Sequence, residues 1–422
     1  MKRLFVSGFF IAMMITVFGQ KTELRLEQCY ELALRNHPVS GQGKLYSEAS
    51  GIQQKIIDKN NLPQFNLNGQ ATYQSAVTEL PISIPGMNIP EVPQEQFKIS
   101  LDATQLLYGG GSTVAQRLLE EKNLQINTRT NESELYKVKE RINQLYFGIM
   151  LINNSIDVLR INLDELQSRL NKTESGIRNG LILPYNATIL ESEKLKVNQK
   201  LIDLNSQKTS FLGILSLLTG VDIAADVKLI EPEIVYQSGN YFNKRPEMSL
   251  FDLQNDRIDI MKKITGIKTH PRAFAFGNLG YGRPGLNMFK EEADVYYMVG
   301  AKVTWNFWNW HQNREEMRIL DINKQIVQQQ KETFDLNIKT QARQYLSEIS
   351  RSEELLAGDE KLILLRAEIS KAVASQLENG IITATEYLTD YNAEIQARLS
   401  KELHKVQYLQ AKAAYLALTG NL

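Results

Sequence analysis

A shift of 200 residues lays the second half of this chain on its first half. Asn179-Gly180-Leu181-Ile182 falls on Asn379-Gly380-Ile381-Ile382, Gln144 on Gln344, Ile149 on Ile349, and Leu218-Thr219-Gly220 on Leu418-Thr419-Gly420. Further upstream the offset becomes 208: His37-Pro38-Val39 meets Arg245-Pro246-Glu247, Pro63 meets Pro271 and Tyr73 meets Tyr281. The register changes between Tyr73 and Leu101, which gives the first copy the longer loop. A duplication of this length restricts the architecture to one supersecondary design used twice.

Proline marks where that design can be helical. Prolines stand at 38, 63, 81, 85, 90, 93, 184, 232, 246, 271 and 284, so 94–183 and 285–422 are free of them. Proline removes a helix hydrogen bond and clashes with the preceding turn, so both gaps can hold long helices. In the first gap Leu135, Val138, Ile142, Leu145, Ile149, Ile152, Ile156, Leu159, Leu163, Leu166 and Leu170 alternate spacings of three and four. That period predicts a left-handed coiled seam. The helix should run from about Ser112 to Arg178, roughly 100 Å at ~1.5 Å per residue. Asn179-Gly180 ends it and Pro184 starts a return helix to Leu218, with Val197, Leu201, Leu204, Phe211, Leu215 and Leu218 on its seam. One hairpin is thus expected over 112–219 and its copy over 312–419, with shorter opening helices at Leu26–Asn60 and Arg245–Lys268.

Between opening helix and hairpin the period changes to two. Phe65, Leu67, Gly69, Ala71 and Tyr73 alternate with polar residues, as do Phe97, Ile99, Leu101 and Ala103. Val295, Tyr297, Val299, Ala301 and Val303 alternate with the mixed set Asp294, Tyr296, Met298, Gly300 and Lys302, with a glycine-rich partner at Phe274–Tyr281. Alternation predicts strands with one apolar face, each close to the ~9–11 residues that cross a bilayer when tilted. The connecting loops, 76–95 and 282–293, are rich in proline, glycine and acidic residues. Four strands cannot close a membrane barrel, whereas three copies supply about twelve, an even number within the range of such barrels. The expected fold class is mainly α with membrane β. Duplicated helical hairpins form a trimeric α-barrel, and four strands per chain join a 12-stranded outer-membrane β-barrel.

The first residues fit export. Lys2 and Arg3 precede an apolar run from Leu4 to Phe18, with cleavage expected before Gln20; this reads as a signal peptide over 1–19. Removing it leaves 46 basic residues against 48 acidic ones, because Lys2 and Arg3 are lost from 48. A near-neutral chain has no nucleic-acid signature. Its single cysteine, Cys29, excludes an intrachain disulfide and lies too far past the apolar run for lipidation. Residues 20–220 form the first repeat, 221–244 a linker or equatorial segment, and 245–422 the second repeat.

All three tryptophans, Trp305, Trp308 and Trp310, lie with Phe307 where the last strand passes into helix, and Tyr108 holds the matching place in the first copy. This is the composition of an aromatic girdle at a membrane–water boundary; the plainer alternative is a core cluster under a soluble sheet. Tyr108-Gly109-Gly110-Gly111-Ser112 lacks the spacing and lysine of a phosphate loop and reads as a strand-to-helix joint. The four histidines, His37, His270, His311 and His404, are scattered, so no metal site is expected. No nucleophile elbow occurs either. No catalytic constellation, cofactor or enzymatic activity is expected.

Leu24-Arg25-Leu26-Glu27-Gln28-Cys29-Tyr30-Glu31-Leu32-Ala33-Leu34-Arg35-Asn36-His37-Pro38 resembles the opening of TolC-like outer-membrane efflux proteins. Arg245-Pro246-Glu247 resembles the start of their second copy and Leu218-Thr219-Gly220 their copy end. The resemblance spans the chain beyond its signal peptide. It implies a homotrimeric channel-tunnel in the cell outer membrane with a long periplasmic extension. Such a channel is the passive exit duct of a tripartite efflux or type I secretion system, fed by an inner-membrane pump through a periplasmic adaptor. It implies that Asn179, Gly180, Leu181 and Ile182, with Asn379, Gly380, Ile381 and Ile382, form the tip that meets the adaptor. It also implies an acidic entrance ring, for which Glu386 matches and Asp390 stands beside the second position. Leu377 and Ile382 occupy the places of a tyrosine and an arginine that brace the closed tip in the best-known member. The rival reading is a periplasmic adaptor, which would carry one hairpin rather than two, each preceded by strands.

Overall fold

A computed structural model of the chain describes residues 23–78, 92–236, 243–288 and 290–421. The signal peptide and much of the 76–95 loop lie outside these residues, as do 237–242 of the linker. Two strand pairs and two hairpins of long helices follow one another in the order the duplication requires. The elements are β1 (Glu23–Leu24), α1 (Leu26–Asn36), α2 (Gln42–Lys59), β2 (Gln64–Tyr73), β3 (Glu95–Tyr108), α3 (Ser112–Arg178) and α4 (Tyr185–Thr219). Then come β4 (Lys228–Leu229), α5 (Pro246–Ile267), β5 (Arg272–Arg283), β6 (Asp294–Thr304), α6 (Gln312–Glu378) and α7 (Ala384–Thr419).

The opening helix of the first copy is not continuous, contrary to the pattern's expectation. Pro38 disfavours helical geometry at the residue before it. His37 accordingly turns extended at ψ 133°, a 3₁₀ turn covers Pro38–Gly41, and α2 starts afresh. In the second copy the equivalent Pro246 stands at the first position of α5, where its missing N–H costs nothing.

The chain packs as two compact units whose boundaries fall inside α3 and α6. Of the described residues, one unit comprises 23–37, 135–236 and 340–421; the other comprises 38–78, 92–134, 243–288 and 290–339. Each unit therefore draws on both copies. In the first unit the predicted seam is the core: Val138, Ile142, Leu145, Ile149, Ile152, Ile156, Leu159, Leu166 and Leu170 are buried, and Leu135 and Leu163 are half-buried. From α4, Leu190, Val197, Leu204, Leu212 and Leu215 pack with them. The linker is structured where described. β4 pairs in parallel with β1, Leu24 facing Leu229. The buried Tyr146 hydroxyl lies 2.8 Å from the Leu24 carbonyl and 2.6 Å from that of Ile230, so one proton serves both. Cys29 is fully buried here, and burial pushes its thiol up to about 12.

The second unit holds an open four-stranded sheet, ordered β2-β3-β5-β6, antiparallel throughout. The central pairing of β3 with β5 joins the two copies, and β2 and β6 are the free edges. Beside it, α5 is tied to α6 by Lys262–Asp321, Lys324–Asp259 and Lys331–Asp252 ion pairs of 2.5–2.7 Å. These pairs are partly exposed, so water screens them and each contributes little.

Candidate functional site

In a sheet, directly paired residues share a face, so the register assigns every side chain. One face carries Phe65, Leu67, Ile99, Leu101, Leu279, Tyr281, Val295, Tyr297 and Val299. These large apolar groups point outward uncovered: Leu67 and Val299 are each 76% exposed, and Tyr297 75%. The opposite face is mixed: it carries Asn66, Asn68, Lys98, Ser100, Asp102, Asn278 and Lys302 together with Leu106, Phe274, Phe276, Tyr296 and Met298. On it the Asp102 carboxylate accepts from the side chains of both Asn68 and Asn278, and the Lys98 ammonium lies 5.2 Å from the centre of the Tyr296 ring. The strands are 10, 14, 12 and 11 residues long. An apolar sheet face this large is costly in water, and water-filled surroundings suit only the other side.

The aromatic cluster sits at the end of this sheet. Trp305, Phe307, Trp308 and Trp310 are exposed, as is Tyr108. A core cluster is therefore not what these rings form in the chain. The Trp305 indole N–H donates to the Thr269 carbonyl at 2.9 Å, and Trp308 meets the rings of Trp310 and His311 edge-on at 5.7 and 5.6 Å. Trp310 and His311 both take left-handed backbone, with φ 52° and 63°. Their equivalents in the first copy are Gly110 and Gly111, at φ 65° and 91°. Both joints need the same backbone, and only the first gives it to glycine.

The hairpin turns belong to the first unit. Each closes in the same way: Gly180 and Gly380 are left-handed at φ 71° and 70°. Leu181 N–H then donates to Gly176 O and Ile381 N–H to Gln376 O, both at 2.9 Å. This double-bonded helix ending is what a glycine past the last turn permits. Leu181 and Ile381 are exposed. Ile182 is not: it is buried, folded over Gly176, where no side chain stands in its way, and Ile382 is half-buried. Of the apolar residues that the resemblance implies at the tip, only Leu181 and Ile381 are exposed; Leu183 and Tyr185, which the sequence reading passed over, join them. The two turns touch. A side chain added at Gly380 would meet the Leu181 carbonyl at 2.7 Å, and the buried Asn186 side chain accepts from the Ala384 N–H at 2.7 Å.

Glu386 lies on the surface at the start of α7 and closes a capping box with Thr383. Its carboxylate accepts from the Thr383 N–H at 2.8 Å and its hydroxyl at 3.0 Å. The backbone bond foremost, and then the hydroxyl, hold its pKa below the usual carboxylate value. Asp390, half-exposed, lies 3.8 Å from the Arg366 guanidinium.

Compared by sequence, the chain matches no protein-family model and no curated protein. Compared by structure, it matches outer-membrane channels over almost its whole length. VceC from Vibrio cholerae superposes with a TM-score of 0.69 at 12% identity, covering 93% of this chain and 96% of that one. CmeC from Campylobacter jejuni gives 0.66 at 13%, covering 94% and 85%. The open state of MtrE from Neisseria gonorrhoeae gives 0.68 at 14%, covering 94% and 89%. The chain has the outer-membrane channel fold.

On this channel fold the periodicity-based reading missed one charged cluster near the hairpin turns. Glu378, the last residue of α6, pairs with Arg169 and, at 2.8 Å, with Lys172, both from α3. Arg169 also holds Glu165 at 2.6 Å and covers the ring of Tyr387, which stacks on Tyr391 at 5.3 Å. A carboxylate at a helix C-terminus is disfavoured by the helix dipole, and the two cations offset this. The hydrogen bond from Lys172 leads the interactions that lower the Glu378 pKa. No periodic signal links residues 206 and 209 positions apart. Among the described residues no group of three or more acidic, histidine or cysteine side chains could hold a metal ion, and no helix is long and apolar enough to cross a membrane.

Proposed function

We propose that this chain is a channel-tunnel of the outer membrane and the passive exit duct of an efflux or type I secretion system. The observation that carries this is the two-faced sheet: four membrane-length strands, apolar and exposed on one face, with the charged and amide side chains gathered on the other and both edge strands open. Open edges demand a partner strand, and β6 of one copy pairing with β2 of the next closes a twelve-stranded ring in a trimer. The apolar face then meets lipid and the polar face lines a water-filled bore. The exposed aromatic joint lies at the membrane–water boundary. The long hairpins form the periplasmic tube, and their turns, with Leu181, Leu183, Tyr185 and Ile381 outermost, meet a periplasmic adaptor that links the duct to an inner-membrane pump. The duct performs no catalysis, and its cargo is chosen by the pump.

Membrane fractionation and native mass measurement test this reading. The expected result is a homotrimer of the outer membrane that leaves the membrane only with detergent. A monodisperse monomer in detergent-free buffer overturns it. Replacing Leu181 and Ile381 with aspartate should abolish export while trimer and insertion persist. Unchanged export removes the turns from the adaptor interface.

A further inference from the structure

Two aromatic rings on the polar face of the sheet lie over glycines of the neighbouring strand. Gly280 of β5 pairs directly with Tyr296 of β6, and Phe276 of β5 with Gly300 of β6. A Cβ built at Gly280 would collide with the Tyr296 ring, coming within 2.8 Å of its Cε1 and closer still to Cζ and the hydroxyl. A Cβ at Gly300 would fall 2.8 Å from the Phe276 Cζ. Each ring therefore occupies the space that a side chain on the opposite strand would fill. Tyr296 is 7% exposed in consequence, and Lys98 covers it. Its hydroxyl, buried, has no hydrogen-bond partner among the described residues. No polar bond ties the ring down, so the gap at Gly280 sets its pose.

We propose that Gly280 and Gly300 set the free bore of the channel by letting Tyr296 and Phe276 lie down along the wall. This rests on reading the polar face as the lining of a membrane barrel. A ring is large and rigid, and strand side chains otherwise stand roughly perpendicular to the sheet. Three copies of an upright tyrosine at one level would crowd the bore of a twelve-stranded barrel. The two pairs are reciprocal, ring on β6 over β5 and ring on β5 over β6, so the wall stays low at two levels about 13 Å apart, at ~3.3 Å per residue.

The test uses a thiol reporter below the Tyr296 level. Thr104 of β3 lies on the polar face, paired with Phe276, four residues further than Gly280 from the 284–293 loop. The native thiol gives no background, because Cys29 is fully buried and its pKa is pushed up to about 12. Cells displaying the full-length Thr104→Cys chain are treated from outside with maleimide-polyethylene glycols of increasing length. The expected result is a size limit that falls in Gly280→Val and returns on adding Tyr296→Ala, since valine alone is small. Gly300→Val and Gly300→Val with Phe276→Ala, read with Lys302→Cys, whose partner Phe274 lies two residues further from the loop than Phe276, form an independent pair, which decides the matter should Gly280→Val fail to assemble. A size limit unmoved by either glycine substitution in assembled protein overturns the proposal. If the shortest reagent labels Thr104→Cys in detergent but never in cells, the barrel reading itself fails.

Discussion

The two strand-to-helix joints perform the same turn with opposite chemistry. In the first copy Gly110-Gly111 supplies left-handed backbone at little steric expense, whereas in the second Trp310-His311 adopts it against the preference of every residue with a Cβ. A duplicated chain offers this comparison internally, since the backbone demand is common and only the side chains differ. Strain of this kind persists where the surroundings or the function require the side chain. Trp310 is 83% exposed, so packing within the chain does not require it. Contact with a membrane boundary would. The hairpin turns differ in the same manner. Both glycines are left-handed, yet nothing lies within 4 Å of a Cβ at Gly180, while Gly380 is backed by the Leu181 carbonyl. Equivalent positions in sequence have diverged according to what stands next to them.

Where the copies remain equivalent, substitutions should have equal and large effects. Ile149 and Ile349 are both buried. An aspartate at either buries an unpaired charge, and a loss of more than about 4 kcal/mol is expected. Thermal melts followed by circular dichroism would show it. A near-native melt for one of the two would mean the coiled seams are not equivalent. The turns should then separate. Gly180→Ala faces only the left-handed penalty of about 1–2 kcal/mol, and Gly380→Ala adds the clash with Leu181. The second should melt measurably lower than the first, and equal melts would remove the contact between the turns.

The long elements were legible because their signals are local and repeated. The first long helix was expected from Ser112 to Arg178 and is found there, because eleven seam positions and a terminal glycine all agree. The sheet was legible through its alternation, though β3 runs on to Tyr108. What escaped was non-local. Ile182 reads as one more exposed turn residue until Gly176 is seen to leave it a pocket. Arg169 has isoleucine at its place in the second copy, Ile369, and Glu378 has Arg178 at its place in the first, so the duplication could not reveal their pairing. The resemblance offers Glu386 only as a ring carboxylate, and the structure also gives it capping bonds to Thr383, which depend on where the helix starts.

The strain at the second joint can be measured directly. Trp310→Ala keeps the left-handed demand and removes the ring, whereas Trp310→Gly removes both. The glycine variant should be the more stable of the two by about 1 kcal/mol, the left-handed relief less the entropy of glycine. If the proposed membrane boundary is where Trp310 acts, both should lower membrane partitioning of the refolded protein equally. An alanine variant as stable as the glycine variant would mean the joint relaxes out of the left-handed region.

The smallest effect expected is at the non-equivalent helix ends, and its sign follows from Glu378. Its pKa in the folded chain is held below the ordinary value of 4.5, the Lys172 hydrogen bond first among the interactions that lower it. A depressed carboxylate binds protons more weakly folded than unfolded, so its contribution is complete above the unfolded pKa and is lost as pH falls through the folded one. The side chain is 37% exposed, and solvent screening keeps the contribution below about 1 kcal/mol. The wild type should therefore lose melting temperature on acidification below about pH 4.5 more steeply than Glu378→Gln. At neutral pH the variant should melt slightly lower. Arg178→Gln, at the equivalent end of α3, should leave the acid dependence unchanged. If Glu378→Gln and the wild type follow parallel pH curves, the Arg169–Glu378–Lys172 cluster does not join α3 to the end of α6 in the folded chain.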